Sequence, residues 1–301
     1  MEEKLKTGLT RFYDRYYKLL LLIPAIIILL SFIYMGVFYS KNGDFVKKDI
    51  SLTGGTSVTI YEKISIDKIQ SDLSGKLEEV EVREISDLIT REQKAIIIET
   101  KSDADTTKKV LEEYLGHTLT AENSSFEFTG SSLSSSFFKQ LVIAVLIAFI
   151  LMTFVVFIIF RTFVPSMAVV LSAFADIFMT LTAFNLLGLK LSSAGIVAFL
   201  MLIGYSVDTD ILLTNRVLRR QGHSLDRKIW EAFKTGITMT LVSIVAVAVA
   251  FIVVGSFSGV LTQIFTVILV GLGFDIFNTW VTNASIIKWY AVKLEKNENK
   301  A

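Results

Sequence analysis

Residues 164–187 read VPSMAVVLSAFADIFMTLTAFNLL, and residues 191–213 read LSSAGIVAFLMLIGYSVDTDILL. Each run is apolar enough, and long enough as a helix, to cross about 30 Å of hydrocarbon, which takes roughly 20 residues. Each also carries carboxylates. Asp176 lies in the middle of the first run, and Asp208 and Asp210 lie late in the second. A third such run, Val260 to Ile287, holds Asp275. A carboxylate in a bilayer core is costly, so such a residue is a functional candidate by default. Repeated on three helices, it predicts a polar seam inside a helix bundle, and seams of this kind carry ions or protons.

Working outward, the hydropathy extends the pattern to six spans. The others are Leu19 to Tyr39, Gln140 to Phe160 and Thr235 to Gly255. The chain is 52% hydrophobic with only two prolines, which excludes an ordinary soluble domain. There is no cysteine, so disulfides contribute nothing. The net charge of +1 is uninformative, but its distribution is not. Lys4, Lys6, Arg11, Arg15 and Lys18 precede the first span. Arg161, the segment Arg216 to Lys234 and the tail Lys288 to Lys300 carry most of the other basic residues that flank the spans. By the positive-inside rule both termini are expected in the cytoplasm of a multi-pass cell-membrane protein. Tyr13, Tyr16, Tyr17, Trp230, Trp289 and Tyr290 fall at the same ends, where interfacial aromatics belong. The first span is longer than a signal-peptide core and lacks a small-x-small site after it, so a permanent anchor is expected. This divides the chain into residues 1–39 (N-terminus and first span), 40–139 (external domain), 140–290 (spans two to six) and 291–301 (cytoplasmic tail).

The external domain alternates strand and helix signals. Thr56 to Glu62 and Val80 to Ile85 alternate apolar and polar residues, and Ala95 to Glu99 is β-branched. Ser65 to Gly75 and Asp105 to Leu115 are amphipathic, with Ser65 as an N-cap and Gly116 as a stop. Ser125 to Phe128 supplies a last strand. The order β-α-β-β-α-β is the ferredoxin-like arrangement. Ser131 to Ser136 is serine-rich and is expected to be a linker.

Within the membrane, residues two apart on a helix point about 200° from each other. Asp208 and Asp210 therefore cannot both face one narrow seam. Lys234, at the start of the fifth span, is expected at their depth, where it would hold a carboxylate ionised. The alternatives are structural: a hydrogen bond to a neighbouring helix, or interfacial anchoring for Asp210 and Lys234. An intramembrane aspartic protease is disfavoured. Gly271-Leu272-Gly273-Phe274-Asp275 has one residue too many for a Gly-x-Gly-Asp signature. No P-loop, nucleotide motif or metal-binding histidine pair is present, so no enzyme, cofactor, metal or nucleic-acid partner is expected.

Three local sequences carry a resemblance. Leu52-Thr53-Gly54-Gly55-Thr56 is similar to the TGGT element of the SecD/SecF protein-export family, part of the resistance-nodulation-division superfamily. Ile203-Gly204-Tyr205-Ser206-Val207-Asp208 resembles the IGYS-containing fourth span of SecF. Arg161 to Pro165, followed by Ala175-Asp176-Ile177, resembles its second loop and third span. Phe274 to Trp280 with Asn283 looks like the archaeal branch.

The resemblance implies a six-helix polytopic fold with one extracytoplasmic α+β ferredoxin-like domain. It implies an accessory subunit of the Sec machinery, in the lipid bilayer, pairing with SecD beside the SecY channel and acting on a translocating polypeptide, driven by a proton or sodium gradient. Bacterial relatives place an aspartate where this chain has Thr209, so the carboxylates Asp208 and Asp210 flank that position. The expected pathway is Asp208 first, Asp210 second, with Lys234, Asp176 and Asp275 around them. Rival readings are a small-molecule or lipid transporter of the same superfamily and a purely structural translocon subunit.

Overall fold

The computed structural model describes residues 15–86, 90, 92–219, 224–255 and 258–298. Lys4, Lys6, Arg11, Tyr13 and Lys300, used above for orientation, lie outside them. Six helices are long and apolar enough to cross a membrane. The first is α1 (Leu22–Asn42), part of a spanning helical stretch Arg15–Asn42. It ends at Gly43, where a left-handed φ of 71° lets the amide bond back to the Tyr39 carbonyl at 2.8 Å.

A small domain follows: α2 (Ile50–Thr53), β1 (Gly55–Ile60), α3 (Ile66–Leu73), β2 (Glu81–Ser86), β3 (Gln93–Thr100), α4 (Ala104–Leu115) and β4 (Ser124–Thr129). The four strands form one antiparallel sheet in the order β2-β3-β1-β4, the ferredoxin-like order. Alternation along β1 and β3 turns Val58, Ile60, Ile96 and Ile98 to one face. There they meet Ile69 and Leu73 of α3 and Leu111 of α4 in a single core. Asp103 caps α4 by accepting from the Thr106 amide at 2.9 Å, and Gly116 ends it with φ 76°. Ser65 occupies the N-cap position of α3 but makes no side-chain capping bond.

The bundle resumes with α5 (Ser131–Phe160), α6 (Phe163–Leu186), α7 (Ser193–Arg219), α8 (Leu225–Val254) and α9 (Gly259–Phe277). A π-helical segment, π1 (Asn278–Asn283), and α10 (Ala284–Glu298) complete it. The serine-rich stretch Ser131 to Ser136 is not a linker. It forms the first turns of α5, with Ser134 buried. Its composition permits flexibility, but packing against the domain overrides that preference.

The close approach explains the TGGT element. A Cβ on Gly54 (φ 85°) would lie 2.5 Å from the Ser131 Cα, and one on Gly55 (φ 147°) would meet the Thr100 carbonyl oxygen. Only glycine fits both the backbone angle and the space. Thr53 and Thr56 tie the same corner with hydroxyl bonds to the carbonyls of Asp49 (3.0 Å) and Ser102 (2.7 Å).

In the bundle, α6 and α7 are central and largely buried, whereas α5 and α8 turn apolar side chains outward, among them Ile150 (64% exposed) and Ile252 (71%). Such a surface suits a lipid solvent rather than water. Small residues bring helices close: a Cβ on Gly271 of α9 would lie 2.5 Å from the Leu202 side chain of α7.

Candidate functional site

Three of the five charged residues singled out from the sequence come together. Asp176 of α6, Asp210 of α7 and Asp275 of α9 are all buried, at 0%, 0% and 1% exposure. They are linked by one hydrogen-bond network. The Asn278 amide donates to Asp176 Oδ1 at 2.7 Å, and the Ser206 hydroxyl donates to Asp176 Oδ2. The Thr209 hydroxyl lies 3.1 and 3.3 Å from the two oxygens of Asp275. Thr279 lies 3.0 Å from Asp210 Oδ1 and 3.2 Å from Asp275 Oδ1, so it bridges the two carboxylates. Asn283 donates to Asp210 Oδ1 at 2.7 Å.

The donors fall short of the acceptors. A hydroxyl has one proton, so Thr209 and Thr279 together satisfy at most two of the four carboxylate contacts they make. Asp210 Oδ2, Ser172 Oγ and Asn283 Oδ1 are buried without a well-formed hydrogen bond among the described residues, and Ser172 lies beside Asp210 as its nearest further donor. The side chains that hydrogen-bond to the three carboxylates are hydroxyls and amides, and none is a cation. Carboxylates so placed demand positive charge, as protons or as a bound cation, because water cannot screen them at this depth. No group of three or more His, Cys, Asp or Glu arranged to hold a metal ion occurs among the described residues.

The π-helical segment positions half of the network. Its wider i→i+5 turn carries Asn278, Thr279 and Asn283 onto Asp176, Asp275 and Asp210 together. Sequence reading places one uninterrupted span here, with Asn278, Thr279 and Asn283 only as marks of the archaeal branch, Ser206 only as part of the IGYS motif and Thr209 only as the position between two carboxylates. The available signal was the polar run Asp275, Asn278, Thr279, Thr282 and Asn283 inside an apolar span.

Asp208 and Lys234 stay outside. Asp208, first choice from the sequence, is exposed on the outer face of α7. Lys234 is exposed on α8, its ammonium 5.9 Å from the Trp230 ring centre, and Asp210 takes its bonds from Thr279 and Asn283 instead. The IGYS element is thus divided. Ser206 enters the network, while Gly204 and Tyr205 share the outer face with Asp208.

The domain is fastened to the bundle beside the α6–α7 loop. Leu191 bonds on both sides of the segment before α2, its amide to the Lys47 carbonyl at 2.6 Å and its carbonyl to the Asp49 amide at 3.1 Å. The Ser193 amide donates to Ser51 Oγ at 2.9 Å. Lys190 pairs with Glu81 of β2 at 2.7 Å. Gln263 of α9 bonds Ser192 and the Lys190 carbonyl. Asp49 caps α2 by accepting from the Ser51 amide at 2.9 Å.

With this geometry in hand, the relatives are informative. Residues 108–293 match the family "Protein export membrane protein SecD/SecF, C-terminal". The protein-export membrane protein SecF of Methanocaldococcus jannaschii is 42% identical over 281 residues, covering 91% of this chain and 95% of its own. SecF of Methanolacinia petrolearia is 38% identical, covering 92% and 94%, and that of Pyrococcus furiosus 33%, covering 93% and 93%. The crystal structure of SecDF from Thermus thermophilus, a translocon-associated membrane protein, superposes with a TM-score of 0.70 at 20% identity. That match covers 96% of this chain, which spans 41% of the SecDF chain.

Proposed function

The chain belongs to the SecF group, archaeal type, of the SecD/SecF protein-export family, and from that premise we propose an ion-coupled accessory subunit that pairs with SecD beside the SecY channel. Its membership makes it a multi-pass membrane protein of Sec export. In the proposed cycle, protons or sodium ions enter the Asp176, Asp210 and Asp275 network and leave it on the other side of the membrane. Each change of charge alters which of Ser206, Thr209, Thr279 and the two asparagines can bond, and so repacks α6, α7 and α9 against one another. The fastening at Leu191, Lys190 and Gln263 carries that movement to the external domain, which handles the emerging polypeptide. Both termini lie in the cytoplasm, as the basic residues Arg216, Arg227 and Lys228 at one end of the bundle suggest.

The observation that carries this proposal is the under-donated network, in which the two hydroxyl protons of Thr209 and Thr279 serve four carboxylate contacts. Pairing with SecD draws on a second observation. Val197, Met201, Tyr205 and Asp208 line an exposed stripe on α7, with open space above Gly204. A carboxylate on such a stripe at membrane depth calls for a partner helix. The SecDF chain that superposes on this one is also more than twice as long, leaving a second portion for another polypeptide to supply.

The test is secretion of a reporter in cells whose only copy carries Asp210→Asn, with membrane level and SecD association measured alongside. Normal assembly with lost export is expected. Normal assembly with normal export overturns the ion-coupled reading and leaves a structural subunit.

A further inference from the structure

Near the domain, the flank of the bundle holds a cleft of about 390 Å³ between α1 and α5, floored by α6 and α7. Met35, Val142, Val145, Ile177, Leu191 and Phe199 line it, and almost no polar atom faces its interior. One lip is formed by Leu146, which is 57% exposed on a face of α5 that carries apolar side chains outward. Phe32 of α1 packs tilted against Phe178 with ring centres 4.3 Å apart, and Phe149 of α5 meets Phe174 at 6.4 Å. Both outer helices are thereby propped on α6 with the cleft between them.

The rim is charged. The Lys48 ammonium sits 3.9 Å from the centre of the Phe138 ring, which also lines the cleft, and pairs with Asp44. Its backbone is held by the bridge to Leu191. Lys41, in the last turn of α1, and Lys47, in the connection to α2, are both exposed.

We propose that this cleft is a binding site for one phospholipid, its tail in the cleft and its anionic headgroup on Lys48 and Lys47. The volume lies within the range of about 300–1,000 Å³ typical of ligand pockets. A polypeptide fits poorly. Extended chain would leave amides and carbonyls without partners against these walls, because nothing there can bond them. A helix, about 10–12 Å across with its side chains, is too wide for so small a space. A hydrocarbon tail has no such groups, and Lys41, Lys47 and Lys48 outnumber the one carboxylate that lines the cleft, Asp44, where a headgroup of the leaflet nearest the domain would lie. A lipid so placed would wedge α1 from α5 beside the fastening between domain and bundle.

The probe is an anionic phospholipid with a photoreactive group near the end of its tail, reconstituted with the whole protein in nanodiscs. Labelling is expected to concentrate at Val142, Val145 and Ile177, and native mass spectrometry should find one lipid retained on the detergent-solubilised protein. Val145→Trp, which fills the cleft, should abolish both signals. Lys48→Ala, at a side chain only 19% exposed, is checked for an unchanged unfolding midpoint and should reduce retention of anionic over neutral lipid about tenfold. Labelling spread equally over the outward residues Val245 and Ile252 would mean bulk lipid only and overturn the proposal. So would cross-links from Val145 to an exported polypeptide instead of lipid. Retention unchanged in both variants would overturn it as well.

Discussion

Asp208 and Asp210 stand two residues apart on α7 and face opposite ways. Asp210 is buried on Thr279 and Asn283, at 3.0 and 2.7 Å, whereas Asp208 is exposed on the outside of the bundle. Two carboxylates near one depth of one helix therefore serve different surroundings. Asp208→Asn is expected to leave the internal network and the solitary chain's stability unchanged while weakening association with SecD, read by co-purification. Asp210→Asn is expected to do the reverse. Equal effects of both substitutions on association would contradict the division.

Asn283 and Thr279 both hydrogen-bond to Asp210 Oδ1, at 2.7 and 3.0 Å. Asn283→Ala removes a buried hydrogen bond and leaves its acceptor without that donor, a loss of about 1–3 kcal/mol. Thermal unfolding in detergent should show this as a lower midpoint. If Asp210→Asn is already present, the same truncation should cost a different amount, because the two side chains meet directly. Additive losses would argue against direct coupling.

At the corner between domain and bundle, Gly54→Ala places a Cβ 2.5 Å from the Ser131 Cα at a φ of 85°. Backbone must move, so destabilisation beyond about 2 kcal/mol is expected. Gly43→Ala is the control. Its φ of 71° is similar but nothing lies within 4 Å, so the cost should be only about 1–2 kcal/mol. Accumulation in the membrane and proteolysis at the corner would separate the two.

Gly271 and Leu202 test the packing of α9 on α7. Gly271→Ala drives a methyl into Leu202 and should cost about 1–3 kcal/mol by overpacking. Leu202→Ala alone opens a cavity in the core and costs about 2–5 kcal/mol. The double substitution should cost less than the sum, and strict additivity in unfolding midpoints would mean that the helices do not meet as described.

The Asp49 cap makes the fastening sensitive to pH. Burial raises its carboxyl above the ordinary 3.8, and the hydrogen bonds from Ser51 offset that only in part. A carboxyl with its native pKa above the unfolded value binds its proton more tightly when folded. Its contribution is full below 3.8 and is lost as pH rises through the native value. Glu99, raised above 4.5 by burial against the pull of Arg83, acts in the same direction. Hydrogen-exchange protection across residues 47–53, taken relative to the intrinsic exchange rate at each pH, should therefore rise on acidification towards this range. Asp49→Asn should flatten the Asp49 part of the profile, and an unchanged profile would assign the effect elsewhere.

Much of this molecule was legible in its residues. The six spans and the β-α-β-β-α-β order are written in local periodicity. A run of apolar residues as long as a bilayer is thick has few other uses, and alternation over β1 and β3 sets which side chains enter the core. The three buried aspartates were legible for the same reason, since a carboxylate in an apolar span stands out wherever the helix turns. What tertiary structure alone decided was direction and exception. A step of about 100° per residue shows that Asp208 and Asp210 diverge, but which one faces inward depends on where α6 and α9 pack. Serines 131 to 136 are helical because Gly54 lets the backbone close on them, a contact about eighty residues away along the chain. The π turn at Asn278–Asn283 exists in a stretch with no proline or glycine to announce it, and its polar side chains bond to carboxylates on other helices. Local sequence encodes burial and period, whereas the facing of a helix and a departure from its regular turn are set by partners distant in sequence.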